Sequence, residues 1–480
     1  MRRTVLPIAV AALLLVVPVA AGTATTRDAT AASGGGVAAA TDALQSGPNP
    51  CVGTIDRTPD RTTLFSIQGA RGSEKTSAMV VGVRPNGSIV GVHNDTAAGR
   101  WWSYDIDVLP NGNVLESTTY NRHTLIEEID SETGEHVSER EFRNVYDTHD
   151  VDLINGDELV MTDMSQDGED RLLVYNLTRE EVAWEYYFAN YTDRYPHDGG
   201  GEFGGDWTHN NDVEQIRDGV FMVSVRNFDK VVAIDRSSKE VLWTLGEDDN
   251  TSILHEQHNP DYLQSEDGSA TVLVADSLND RVVEYEREGD SWNRTWVLRG
   301  GGLDEPRDAD RLPNGDTLVV DRRGDRIVEV TPEGEVVWEV YAPYQPYDVE
   351  RLGTGDESNG PTMADAGEGG VAEMTGSASF SGAEVAACYD YLTGFPSSQL
   401  IPDDELDAVT DTEGTASERD ATDPSADDGA GSDSTTESSG GDSVLGTPTA
   451  GSGPSPLGTV LAGTAGAALL AGALVRLRRR

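Results

Sequence analysis

Lysine is nearly missing from this sequence. Of 480 residues only Lys75, Lys230 and Lys239 are lysines, so the 35 basic residues are almost all arginine, and they face 85 acidic ones for a formal net charge of -50. No basic stripe exists to neutralise phosphates, which argues against nucleic acid as a partner. Cysteine is scarcer still: Cys51 and Cys388 are the two in the chain. They can pair as a disulfide in an oxidising compartment or stand as two free thiols. With no cysteine cluster, no H-E-x-x-H and no glycine-rich phosphate loop, a structural zinc site and nucleotide use are both disfavoured. A folded chain with this much self-repulsion calls for strong screening, and the Debye length falls to about 3 Å in 1 M salt. That points to a high-salt, archaeal setting; the plainer alternative is an acidic secreted protein with a disordered tail, since part of the charge lies in residues 402–442.

Both ends carry addresses. Residues 1–24 have a charged start, an apolar run and small residues at Ala20 to Ala24, the pattern of an export signal, and Arg2-Arg3 permits the twin-arginine route. Residues 25–60 read as a linker. Near the other end, residues 356–401 form an extension that either caps the folded body or leads away from it. Residues 402–455 are an acidic Ser/Thr-rich stalk that cannot bury a core. Residues 457–475 are uncharged and just long enough to span a bilayer as a helix, with the basic tail 476–480 held inside. The expectation is an exported protein on the cell surface, tethered to the membrane by its C-terminal helix. N-x-S/T triplets beginning at Asn86, Asn94, Asn176, Asn190, Asn250 and Asn293 agree with an exterior location.

The body, residues 61–355, repeats. Short heads "YDID" at 104, "HDVD" at 149, "HNND" at 209, "HNPD" at 258, "RDAD" at 307 and "YDVE" at 347 are each followed by a turn such as "PNGN", "RDGV" or "PNGD". A β-rich run then leads to "VVAID" or "VVEYE" and often to a closing "EVVW" or "EVLW". Four short strands per unit at this period predict an all-β, six-bladed β-propeller. The unit starting at Tyr347 lacks its remaining strands; "TTLFSIQ" at 62–68, "SAMVVGVR" at 77–84 and "SIVGVH" at 88–93 supply them, so N- and C-terminal strands close one blade.

In a propeller the inner strands line a central channel, so equivalent positions converge at one mouth. The first residues of the heads are Tyr104, His149, His209, His258, Arg307 and Tyr347. The turn at Arg217-Asp218-Gly219 sets a hairpin midpoint that makes His209 and Arg226 cross-strand neighbours, adding a second cation to this mouth. An insertion at 189–208 enters at the same face with Tyr191, Tyr195, Phe203 and Trp207, either an aromatic surface for a ligand or a loop packed on the blades. Such a ring suits a small anion.

The run "DWTHNNDVEQIRDGVFMVSVRNFDKVVAIDRSSKEVLWTLG", followed by "HEQHNPDYLQSEDGSATVLVADSLNDRVVEYE", resembles the core of the arylsulfate sulfotransferases over residues 100–345, and "THDVDLINGDELV" is similar to that family's earlier head. The resemblance implies transfer of a sulfuryl group from an aryl sulfate donor to a phenolic acceptor through a sulfohistidine, with no cofactor and no metal. His258 would be the nucleophile; His149, His209 and Arg226 would hold the sulfuryl oxygens, with Asn211 beside them. The repeat ring itself adds Tyr104, Arg307 and Tyr347 as substrate contacts. Where the family favours D-N-G after the nucleophile's blade strand, this chain has "VADSLND". Two other readings stay open: a non-catalytic surface propeller that binds glycans or proteins, and a metal-dependent propeller hydrolase using carboxylates such as Asp150 and Asp212.

Overall fold

Six β-sheets stand around one axis in the computed structural model, which describes residues 48–406 apart from Asp95 and Gln166. The signal segment 1–24, nearly all of the stalk, the span 457–475 and the tail 476–480 lie outside the described residues. Among the described residues no helix is long and apolar enough to cross a membrane.

From the axis outward, blade one comprises Ile106–Val108, Val114–Tyr120, His123–Ile129 and His136–Phe142. Blade two comprises Val151–Ile154, Glu158–Asp163, Arg171–Asn176 and Glu181–Tyr187, and blade three Asn210–Arg217, Val220–Val225, Lys230–Asp235 and Val241–Gly246. Blade four runs through His258–Gln264, Ala270–Asp276, Arg281–Glu288 and Ser291–Arg299, and blade five through Pro306–Arg311, Thr317–Asp321, Arg326–Val330 and Val336–Tyr341. Blade six closes the ring as the sequence predicts. Its inner strand Pro346–Arg351 pairs antiparallel with Thr63–Ile67, Phe65 opposite Val349, and Met79–Val83 and Ile89–His93 follow.

Alternation along each strand sends apolar side chains into the gaps between blades. Six buried clusters result, one per gap; between blades two and three, for example, Val160, Leu172 and Val174 meet Val213, Phe221 and Val223. The closing "W" of the repeat has a defined job. Trp184, Trp296 and Trp338 on outer strands each donate their indole N–H to a carbonyl of the next blade, Arg236 (2.7 Å), Pro332 (2.9 Å) and Pro85 (3.0 Å). The fully buried indoles of Trp296 and Trp338 are thus satisfied by the neighbouring blade.

At the axis, an aspartate near the start of the inner strand clasps the next blade. Asp105 Oδ2 accepts from Val151 N (3.1 Å), Asp150 Oδ2 from Val213 N, Asp308 Oδ2 from Val349 N (3.2 Å) and Asp348 Oδ2 from Ile106 N (3.0 Å). The series lapses on both sides of blade four. The residue that would donate to Asp212 is Pro260, which has no N–H, and blade four itself carries Asn259 where the others carry aspartate.

One segment differs from the sequence expectation, and a second takes one of its two alternatives. Within the stretch read as a linker, Val52–Ile55 is a fifth, outermost strand of blade five, antiparallel to Val336–Tyr341. The extension 356–401 does cap the body: Gly370–Glu373 adds a parallel fifth strand to blade four, and a helix, Gly382–Leu392, starts at a capping box of Ser381 and Glu384. Cys51 and Cys388 form a disulfide between these two additions. Gly82 and Gly91 are required on blade six because a Cβ there would fall 2.1 Å from Leu400 O and 1.9 Å from Gln399 O.

Candidate active site

A left-handed residue precedes every inner strand: Trp102, Asp147, His209, Glu256, Glu305 and Gln345 all have φ between 45° and 71°. Two residues later stand Tyr104, His149, Asn211, His258, Arg307 and Tyr347, and these are the true equivalents. The head alignment therefore shifts in blade three. Asn211, not His209, occupies the position of His149 and His258, as the clasp from Asp150 to Val213 also requires. His209 reaches the same mouth from the corner position instead.

The predicted residues do converge. Tyr104 stacks on His149 with centroids 4.0 Å apart; His149 lies 5.1 Å from His209 and 5.6 Å from Tyr347, which in turn lies 6.2 Å from His258. Asn210 pairs with Val225, which puts His209 beside Arg226: Arg226 Nη1 donates to His209 Nε2 at 2.8 Å. Arginine can only donate, so His209 Nε2 holds the lone pair and Nδ1–H donates to Asp206 Oδ1 (2.6 Å). Asn211 Nδ2 donates to Gln257 O (3.0 Å), and the Tyr347 hydroxyl to Asn211 O (3.4 Å).

His258 is the most enclosed histidine of the ring, 2% exposed. Its Nδ1 sits 3.1 Å from Glu256 O and 2.9 Å from Ser277 Oγ, whose own hydroxyl donates to Pro306 O (2.7 Å). These two acceptors call for a proton on Nδ1, and Arg307 Nη1, a donor that lies 2.6 Å from Nδ1, also meets Nε2. Arg307 Nη1 lies against this ring, and Glu305 holds the other end of the guanidinium (2.7 Å) while pairing with Arg322 and Arg323.

Burial pushes the His258 pKa well below the ordinary imidazole range, and Arg307 and Arg226 push it further. Burial and Arg226 take His209 down to about 3. Burial also lowers His149, against the pull of Asp147. The three imidazoles are therefore neutral at neutral pH, and the guanidiniums carry the positive charge. Burial raises the Tyr104 and Tyr347 phenols, which remain donors.

Asp147, Asp206, Glu305 and Ser277 orient the ring and were not singled out from sequence. Asp147 and Glu305 stand two residues before their heads, at left-handed corners that share no residue type. The insertion 189–208 follows the plainer of its two readings. Tyr195 and Trp207 are buried, Tyr191 stacks on Tyr186 at 4.5 Å, and Phe203, packed on His197, keeps an exposed face.

Residues 87–290 match the arylsulfotransferase (ASST) family model. The matched stretch holds Tyr104, His149, His209, Asn211, Arg226 and His258, and it ends before Arg307 and Tyr347. No curated protein matches the chain. Among solved structures, a protein of unknown function from Bacteroides caccae is 13% identical over 60% of this chain and 97% of its own, with a TM-score of 0.44. A periplasmic gluconolactonase of Pseudomonas aeruginosa is 12% identical over 60% and 98%, with a TM-score of 0.38. A virginiamycin B lyase from Staphylococcus aureus is 9% identical over 59% and 82%, at 0.35.

Proposed function

We propose that this protein is an aryl sulfotransferase that moves a sulfuryl group from an aryl sulfate to a phenol through His258. The observation that carries the reading is the placing of that imidazole, buried, with two acceptors at Nδ1 and Arg307 against its ring; His258 itself lies in the stretch that matches the arylsulfotransferase family model.

Attack of His258 Nε2 on sulfur breaks the aryl S–O bond and releases the phenolate, which takes a proton from solvent. The ring then carries the sulfuryl group and a positive charge, and Glu256 O and Ser277 Oγ stabilise that charge through the Nδ1–H they already accept. The oxygen of an acceptor phenol then attacks sulfur and the S–N bond breaks; the phenol proton passes to solvent and the neutral imidazole is restored. Arg226 and Arg307 would meet the sulfuryl oxygens, with His149, His209 and Asn211 shaping the floor; a preset donor of this kind is worth about 3 kcal/mol. Tyr104 and Tyr347 would wall the aryl group. In the same reading the protein is exported and held at the cell surface by its C-terminal segment.

The test is transfer from an aryl sulfate to an added phenol in molar salt, with mass spectrometry of the His258 peptide after donor alone. A sulfuryl adduct on that peptide and loss of transfer in His258→Ala are expected. Full activity in His258→Ala overturns the proposal.

A further inference from the structure

Below the histidine mouth, the inner strands carry a second ring of acids, two residues beyond the clasp position: Asp107, Asp152, Glu214, Asp261, Asp310 and Glu350. Carboxylates gather at three places along this channel, Asp105 with Asp107 and Asp356, Asp152 with Asp356 and Glu357, and, between blades four and five, a group that is buried throughout. Asp261, Asp308 and Asp310 each bring a carboxylate oxygen within 4.8 Å of the others, and all three are buried. Asp310 is 3% exposed, and its Oδ2 has no hydrogen-bond partner. Asp212, 6% exposed, likewise has an unpartnered Oδ2, the oxygen that Pro260 cannot serve. Among the described residues no arginine or lysine pairs with any of these four carboxylates; Arg311, next along the strand, is paired with Glu284 at 3.2 Å.

Unpaired carboxylates this close and this dry are costly to keep. The donor set is all oxygen, with no histidine or cysteine, which suits a hard cation and disfavours zinc or copper. At the far end of the channel the chain crosses underneath, where Ser358 N donates to Asp261 Oδ2 (2.9 Å) and holds that carboxylate in place.

We propose that Asp261, Asp308 and Asp310 hold a divalent cation of the calcium class in the axial channel. Its charge would offset the acidic ring directly beneath a mouth built for an anion. The site does not depend on the sulfuryl-transfer reading.

The experiment uses the purified full chain, stripped with a chelator, returned to chelator-free molar NaCl and titrated with calcium chloride by calorimetry and thermal melting. A saturable site that raises the melting midpoint is expected in the wild type. In Asp310→Asn and Asp261→Asn the affinity should fall at least tenfold. Because each substitution removes repulsion, the variants should melt no lower than the wild type under chelator, a result that also reports correct folding. Calcium bound by the acidic stalk is insensitive to these substitutions, so equal affinity in wild type and variants overturns the proposal. So does a wild-type melting midpoint that calcium does not move, whether or not a variant folds.

Discussion

Ser277 shows how much of the chemistry at His258 is set by a residue that touches no substrate. The carbonyl of Glu256 and the hydroxyl of Ser277 are both placed to accept from Nδ1, which favours the lone pair on Nε2. Removing Ser277 leaves one acceptor and a looser ring. Ser277→Ala is expected to lower kcat about tenfold with KM nearly unchanged, since the loss falls on the charged intermediate rather than on binding. The pH profile adds an independent check. Because burial and Arg307 keep His258 neutral, kcat/KM in the wild type should stay flat from pH 7.5 to 5.5. An ordinary imidazole would lose about tenfold at one unit below its pKa of about 6.5. A tenfold fall by pH 5.5 would show that the imidazole is exposed when it reacts.

The inter-blade clasp gives the inner strands a role beyond lining a channel. Asp150 satisfies the buried N–H of Val213, whereas Asp212 faces Pro260 and satisfies none. Asp150→Ala should therefore cost about 1–3 kcal/mol by orphaning a backbone donor, and Asp212→Ala, measured under chelator, should cost nothing by this route. Urea unfolding of the two variants in parallel distinguishes them; equal losses would mean the clasp is not what holds neighbouring blades. The same motif explains what the sequence made legible. The period, the turns and the split sixth blade follow from local patterns of β-branched residues and Gly-containing turns, and these reproduce the strands closely. The third head was misaligned by two because "HNND" imitates "HDVD" at its first letter, while the in-step feature is D-x-D/E, "DVE" at 212–214. The left-handed corners share no residue type, since Trp102, Asp147 and His209 stand among them, so they are imposed by the fold and invisible to composition. Strands Val52–Ile55 and Gly370–Glu373 pair with partners remote in sequence, and no local pattern marks them.

On the scale of the whole molecule, the problem is closure. A ring of six blades made from one chain has a seam, and here blade six spans it, with its inner strand from the C-terminal side and three strands from the N-terminal side. Backbone pairing and the packing of Leu392 and Phe395 against the blade five and six cluster hold that seam. The net charge of -50 works against it, since repulsion is relieved when a closed ring opens. The disulfide answers this at the point where both termini leave the ring: it ties Cys51, at the start of the strand added to blade five, to Cys388 on the capping helix, closing a separation of 337 residues. In the reduced protein the seam rests on that pairing and packing alone. Cys51→Ser with Cys388→Ser is expected to lower stability by about 2–4 kcal/mol. The loss should be larger at 0.1 M than at 2 M NaCl, because screening removes the repulsion that the bond resists. Thermal melts of wild type and double variant at both salt concentrations test this. A deficit independent of salt would mean that the bond restricts the unfolded chain alone and does not guard the seam against the charge of the folded ring.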